Sequence, residues 1–144
     1  MKNDETQIRE LLRTFTRAVR NKNAAEAIAV LSDDVVAFDL APPLRQGPDK
    51  ARNPALLEEW FHTWKSSIES ESHELEIAAA GDIAYAYGLQ HMTGTKTDDE
   101  KVDLWYRTTA CFRRENGHWR IIHMHNSVPF AMDGNKKALL DLKA

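Results

Sequence analysis

At 144 residues, with a formal charge of −3 and 28% charged side chains, the chain is long enough for one domain with a buried core and too evenly charged to offer nucleic acid a broad basic surface. Its start, Met1-Lys2-Asn3-Asp4-Glu5, lacks the apolar stretch of a signal peptide, and no apolar run approaches the ~18 residues of a membrane span, so a cytoplasmic location with no membrane partner is expected. The single cysteine, Cys111, excludes an internal disulfide, offers no metal-ligand spacing and reads as a small core residue between Ala110 and Phe112.

Along the chain, Ile8, Leu11, Leu12, Phe15, Ala18 and Val19 recur at the period of an amphipathic helix over 4–21, which Asn21-Lys22-Asn23 ends. Residues 24–31 read as a second, Ala-rich helix, and Ser32-Asp33-Asp34 leads into a strand from Val35 to Asp39. Pro42-Pro43 and Gly47-Pro48 bracket an extended loop, since proline forbids helix and glycine permits a turn. A third helix is expected over 50–68, starting near Asp49 or at Asn53-Pro54 and carrying Leu56, Leu57, Trp60, Phe61 and Trp64. Four long strands follow at 73–80, 83–94, 102–114 and 119–128, separated by Gly81-Asp82, a polar loop and Asn116-Gly117, and residues 137–142 form a short terminal helix or tail. Helices first and consecutive strands after them indicate one α+β domain over 1–144, with a curved antiparallel sheet folded over the helices.

The last strand carries the most chemistry. Strict alternation puts Trp119, Ile121, His123, His125 and Ser127 on one face, which passes from apolar to polar as the wall of a pocket would; the alternative is a sheet edge with solvated histidines. A two-residue type I′ turn at Asn116-Gly117 would pair His125 with Thr108 and Arg113 with Arg120. A type I turn with a bulge at Gly117 would instead pair His125 with Arg107 and His123 with Thr109, and is preferred because it avoids facing arginines and gathers the polar groups. Arg107 within a strand either snorkels to solvent or answers Asp39, Asp103 or an acidic ligand, and the second is favoured. Trp60 and Trp64 share a helical face that suits core first, although Trp64, Phe15 and Phe38 would also line a pocket for a hydrophobic ligand. Trp105 lies on the same strand face as Arg107, and Tyr85 with Tyr87 on one face of the preceding strand; whichever of these faces points outward would be buried by dimerisation through the sheet. His62, His73 and His118 read as solvated surface. His123-x-His125 could ligate one ion with Asp39 as a third ligand, but nothing else in the sequence calls for a zinc site, so neither metal nor other cofactor is expected.

The order helix, short helix, Ser-Asp-Asp-Val-Val-x-x-Asp, Pro-Pro…Gly loop, Trp-bearing helix and strands ending in Arg107-x-Thr109…Asn116-Gly117-x-Trp119-Arg120-Ile121-x-His123-x-His125-x-Ser127-x-Pro129 resembles the nuclear transport factor 2-like superfamily, within it the SnoaL-like and ketosteroid-isomerase-like group. The resemblance covers nearly the whole chain. It implies a conical fold whose sheet encloses a small-molecule pocket, and a homodimer through the sheet. A steroid isomerase needs a carboxylate base and two donors that stabilise a dienolate. Asp39 matches the base, but the donor positions fall at Phe15 and Thr109, which argues against that reaction because one missing donor costs about 10²–10³ in rate. The remaining polar set is Asp39, Arg107, Thr109, His123, His125 and Ser127, in which Asp39 and His125 divide acid and base roles for an isomerase, cyclase or hydrolyase. Two alternatives stay open: Asp39 as a plain turn cap, and the whole set as a non-catalytic binding or interaction module.

Overall fold

The structure, a computed structural model, describes residues 3–144. Helix α1 spans Asp4–Arg20, capped by Asn3, whose side-chain oxygen accepts the Thr6 N–H at 2.8 Å, with acidic residues in its first turn and Arg17 and Arg20 in its last. Helix α2, Ala24–Ala29, is capped in the same way by Asn23. Strand β1 follows over Leu31–Phe38, beginning earlier than its apolar run because Ser32 is buried and bonded to Asp34 and Glu115.

The expected third helix is two. Pro48–Ala51 forms α3 and Pro54–Phe61 forms α4, split at Asn53 because the residue before a proline is pushed out of the helical region and the proline ring has no N–H to donate. Asn53 then caps α4 through the Ala55 N–H at 3.0 Å. Trp64 lies beyond the helix in an isolated bridge to Lys96.

Strands β2 (Glu69–Ala80), β3 (Ile83–Thr95), β4 (Lys101–Glu115) and β5 (His118–Ser127) pair antiparallel in sequence, and β1 joins β5 in parallel, giving the order β1-β5-β4-β3-β2. The helices cover one face. There Ile8 of α1 meets Ala84 and Ala86 of β3, Ala110 and Phe112 of β4, and Trp119 and Ile121 of β5, with Leu11, Leu12, Phe15 and Met124 packed around them. The residues that β3 contributes to this core are small, and those of β4 and β5 include the large Phe112, Trp119 and Ile121 that fill it. A second cluster joins Ala24, Phe61, Trp64 and Ile68. Trp64 is 3% exposed, and a Cβ at Gly94 would lie 2.7 Å from its ring, so glycine is what admits the indole. Residues 137–142 form no helix; Phe130 bridges Ala138 in an extended return.

Candidate functional site

Two backbone features decide which side chains meet. Asn116 and Gly117 both have positive φ, 52° and 79°, as a type I′ turn requires, and Arg113 stands opposite Arg120. The preferred type I register is therefore corrected. The like-charge pair is tolerated because Arg113 is committed elsewhere, donating to Glu115 at 2.9 Å, Asp34 at 2.9 Å and Ser32 at 3.0 Å, while Arg120 donates to the Trp119 carbonyl.

The second feature is a bulge in β5. Phe112 pairs with Ile121, yet Cys111 pairs with His123, so Ile122 is an extra residue and every later side chain changes face. Trp119 and Ile121 are buried under α1, whereas His123, His125 and Ser127 point to the open face; Met124 and Asn126 take the helix-covered face instead. The single wall from Trp119 to Ser127 is thus not formed.

The open face collects most of the residues singled out in the sequence. Thr109 pairs with His125, Arg107 with Ser127 and Cys111 with His123. Cys111 is half-buried there instead of in the core. Phe38 belongs to the same face, its ring edge-on to His123 at 4.7 Å and to His125 at 5.4 Å. His123 is held by the Val36 carbonyl at 2.7 Å from its Nδ1. The Arg107 Nε donates to Ser127 Oγ at 3.2 Å, and among the described residues the guanidinium has no carboxylate partner; Asp103 bonds His91 and Lys143. Trp105 packs on His91 and His73, again outside. A shallow depression of about 350 Å³ runs along this face past Glu74, Tyr87, Leu89, Arg107 and Thr109.

Asp39 sits on the other side. Parallel pairing aligns Ala37 with Met124 and Phe38 with His125, so Asp39 follows Ala37 toward the helix-covered face, at its rim. Its Oδ1 accepts the Leu40 N–H at 2.7 Å, the turn-cap role, and also the Asn126 Nδ2–H at 3.2 Å. The Asn126 Oδ1 is buried without a hydrogen-bond partner. Tyr106 occupies the same face of β4, partly buried, and its phenol is pushed up to about 12 by burial, with the negative charge of Asp39 adding to the effect. Tyr106 therefore stays a neutral O–H donor at any physiological pH. Phe15 borders this side from α1, and Trp64 is core within the second cluster.

The structure thus keeps Asp39 and Phe15 on the helix-covered face, places Phe38, Trp105, Arg107, Thr109, His123, His125 and Ser127 on the open face, and adds Tyr106 and Asn126 to Asp39. Both added residues were accessible in principle. Tyr106 follows from the strand alternation that makes Ala110 and Phe112 core, but Asn126 depended on the unseen bulge.

A family model described as a SnoaL-like domain matches residues 8–131. A crystal structure of a nuclear transport factor 2-like protein of unknown function from Pseudomonas putida KT2440 is 35% identical, covers 97% of this chain and 96% of its own, and superposes with a TM-score of 0.85. A conserved protein from Planctomyces limnophilus is 25% identical, with coverage of 85% and 94% and a TM-score of 0.74. A protein from Novosphingobium aromaticivorans proposed to be a scytalone dehydratase shares the fold at 14% identity, with coverage of 98% and 95% and a TM-score of 0.77. No curated protein matches the chain.

Proposed function

This chain belongs to the SnoaL-like family of the nuclear transport factor 2-like superfamily, and from there we propose that it binds a small, largely apolar organic molecule on the helix-covered sheet face and moves a proton on it through Asp39. The observation that carries this reading is the meeting of a carboxylate, a neutral phenol and a buried amide oxygen lacking a partner, on the face that also bears Phe15 and Met124. Asp39 supplies the base. Asn126 orients it by donating to Oδ1, and Tyr106 donates its O–H to an oxygen of the substrate where negative charge develops. His125, on the opposite face, takes no part. Proton abstraction beside a carbonyl, or loss of water from a hydroxylated ring, needs only these parts, so the reaction class is isomerase, cyclase or hydrolyase. The fold neighbour proposed to be a scytalone dehydratase is in keeping with the last of these.

A second reading keeps the site and drops the chemistry. Asp39 Oδ1 already accepts two hydrogen bonds, as expected of a group that anchors a ligand rather than one that moves a proton. Both readings predict the same binding behaviour. For a ligand found in a panel of cyclic ketones and phenols, Asp39→Asn and Tyr106→Phe should each weaken binding about 10- to 100-fold, the loss of one hydrogen bond of about 1.5–3 kcal/mol to a charged or desolvated group, and His125→Ala should leave it unchanged. Turnover in the wild type that Asp39→Asn abolishes selects the enzyme. The Ile83–Tyr87 end of the open face we assign to a second copy of the chain, since Ile83, Tyr85 and Tyr87 stand 53%, 49% and 50% exposed together on β3.

A further inference from the structure

The geometry points to a binding site for one divalent transition-metal ion of the zinc class on the open sheet face, made by Glu71, His73 and His91. Strand pairing builds it. Glu71 stands opposite His91, and His73, two residues on, shares its face before the bulge that follows in β2. One ligand atom from each of the three lies within 4.8 Å of the other two. Two ligands of a tetrahedral zinc at ~2.0–2.1 Å are themselves separated by ~3.3 Å, so a small contraction closes the set. His73 Nε2 and Glu71 Oε2 already stand 3.3 Å apart.

Three further observations favour an ion over a surface accident. His73 Nε2 is buried and, with Glu71 Oε2 standing 3.3 Å away, makes no well-directed hydrogen bond, so its lone pair is not committed to a donor. Both imidazoles are fixed by Trp105: the His91 ring stacks on it at 4.3 Å and 8°, and the His73 ring packs at 4.7 Å, so little side-chain entropy remains to be lost on binding. Asp103 Oδ1 lies 2.6 Å from His91 Nε2, the carboxylate that metal-bound histidines use to fix their tautomer. With Nε2–H given to Asp103, the lone pair of His91 is on Nδ1, the atom then available to the ion. Two imidazoles and one carboxylate suit Zn²⁺, Co²⁺, Ni²⁺ or Cu²⁺ and are poor ligands for Mg²⁺ or Ca²⁺, which prefer oxygen throughout. The site is distinct from His123-x-His125, whose first ring is bonded to the Val36 carbonyl. His91 lies about 13 Å along β3 from the exposed Tyr87, and Leu89, the partner of His73, about 7 Å, so the ion sits toward the Thr95 end of the strand and the exposed tyrosines toward its Ile83 end.

The test is a calorimetric titration of the chelator-stripped full chain with Zn²⁺, repeated with Co²⁺ followed by visible absorption. The expected result is one saturable ion per chain, a Zn²⁺-dependent rise in the thermal midpoint, and Co²⁺ bands of low coordination number. His73→Ala and His91→Ala should each weaken binding at least tenfold, whereas the double variant His123→Ala/His125→Ala should bind as the wild type does. Circular dichroism checks each variant's fold. Glu71→Gln, which alters an exposed carboxylate by one atom type, carries the test should a histidine variant not fold, and it too should weaken binding. Absence of saturable Zn²⁺ binding by the wild type overturns the proposal, as does binding that survives the loss of His73, His91 or Glu71.

Discussion

Tyr106 is the residue whose chemistry departs furthest from its free behaviour. Its phenol ionises near 12 because burial penalises the phenolate and Asp39 repels it. The folded value is raised above the ordinary 10.0, so the associated stability is complete below pH 10.0 and is lost as pH rises toward 12. A spectrophotometric titration should show one of the three tyrosines ionising close to 12, and Tyr106→Phe should remove that component and flatten the alkaline fall in thermal midpoint. A titration curve left unchanged by Tyr106→Phe would contradict the burial argument. At this scale the sequence was only partly legible. Asp39 was singled out through a family motif, and it lies at the rim of the helix-covered face. Asn126 was not found, because one extra residue, Ile122, inverts the alternation on which the assignment of His123, His125 and Ser127 relied, whereas Tyr106 was readable from the β4 alternation and was passed over.

At the scale of elements, the end of β4 is tied to the start of β1 by Arg113, which bridges Glu115 on its own strand to Asp34 and the buried Ser32. Hydrogen bonds from Arg113, and then from Ser32, hold the Asp34 and Glu115 carboxyls below their ordinary values of 3.8 and 4.5. Carboxyls lowered in the folded state contribute stability that is full above the unfolded values and is lost as pH falls through the folded ones. Arg113→Ala should therefore lower the thermal midpoint by a few degrees near neutral pH and by progressively less below about pH 4, where the wild type loses the same contribution. Equal destabilisation at all pH values would show that Arg113 acts by packing alone. The elements themselves were largely readable. Apolar periodicity located α1, Asn116-Gly117 located the β4–β5 turn, and Gly81-Asp82 the β2–β3 turn. The split between α3 and α4 was signalled by Asn53-Pro54 but outweighed by the helical spacing of Leu56, Leu57, Trp60 and Trp64. The hairpin register was misjudged because facing arginines look repulsive in sequence, where the long-range partners of Arg113 in β1 are invisible.

For the whole molecule, one sheet has two unlike faces: α1 covers one, while the other shows Ile83, Tyr85 and Tyr87 to solvent with the two tyrosine rings stacked at 6.2 Å. Exposed apolar surface of this kind marks an interaction site, which we assign to a second copy. Sedimentation at micromolar concentration should give a dimer, and Tyr85→Lys with Tyr87→Lys a monomer; a wild-type monomer would contradict that assembly. No helix among the described residues is long and apolar enough to cross a membrane. The central claim is that small molecules are bound on the helix-covered face, and the measurement that tests it most directly is a crystal structure of the protein soaked with the ketone and phenol panel. The account predicts ligand density within hydrogen-bond distance of the Asp39 carboxylate and the Tyr106 hydroxyl, and density seated instead on the open face against His125, Arg107 and Thr109 would contradict it.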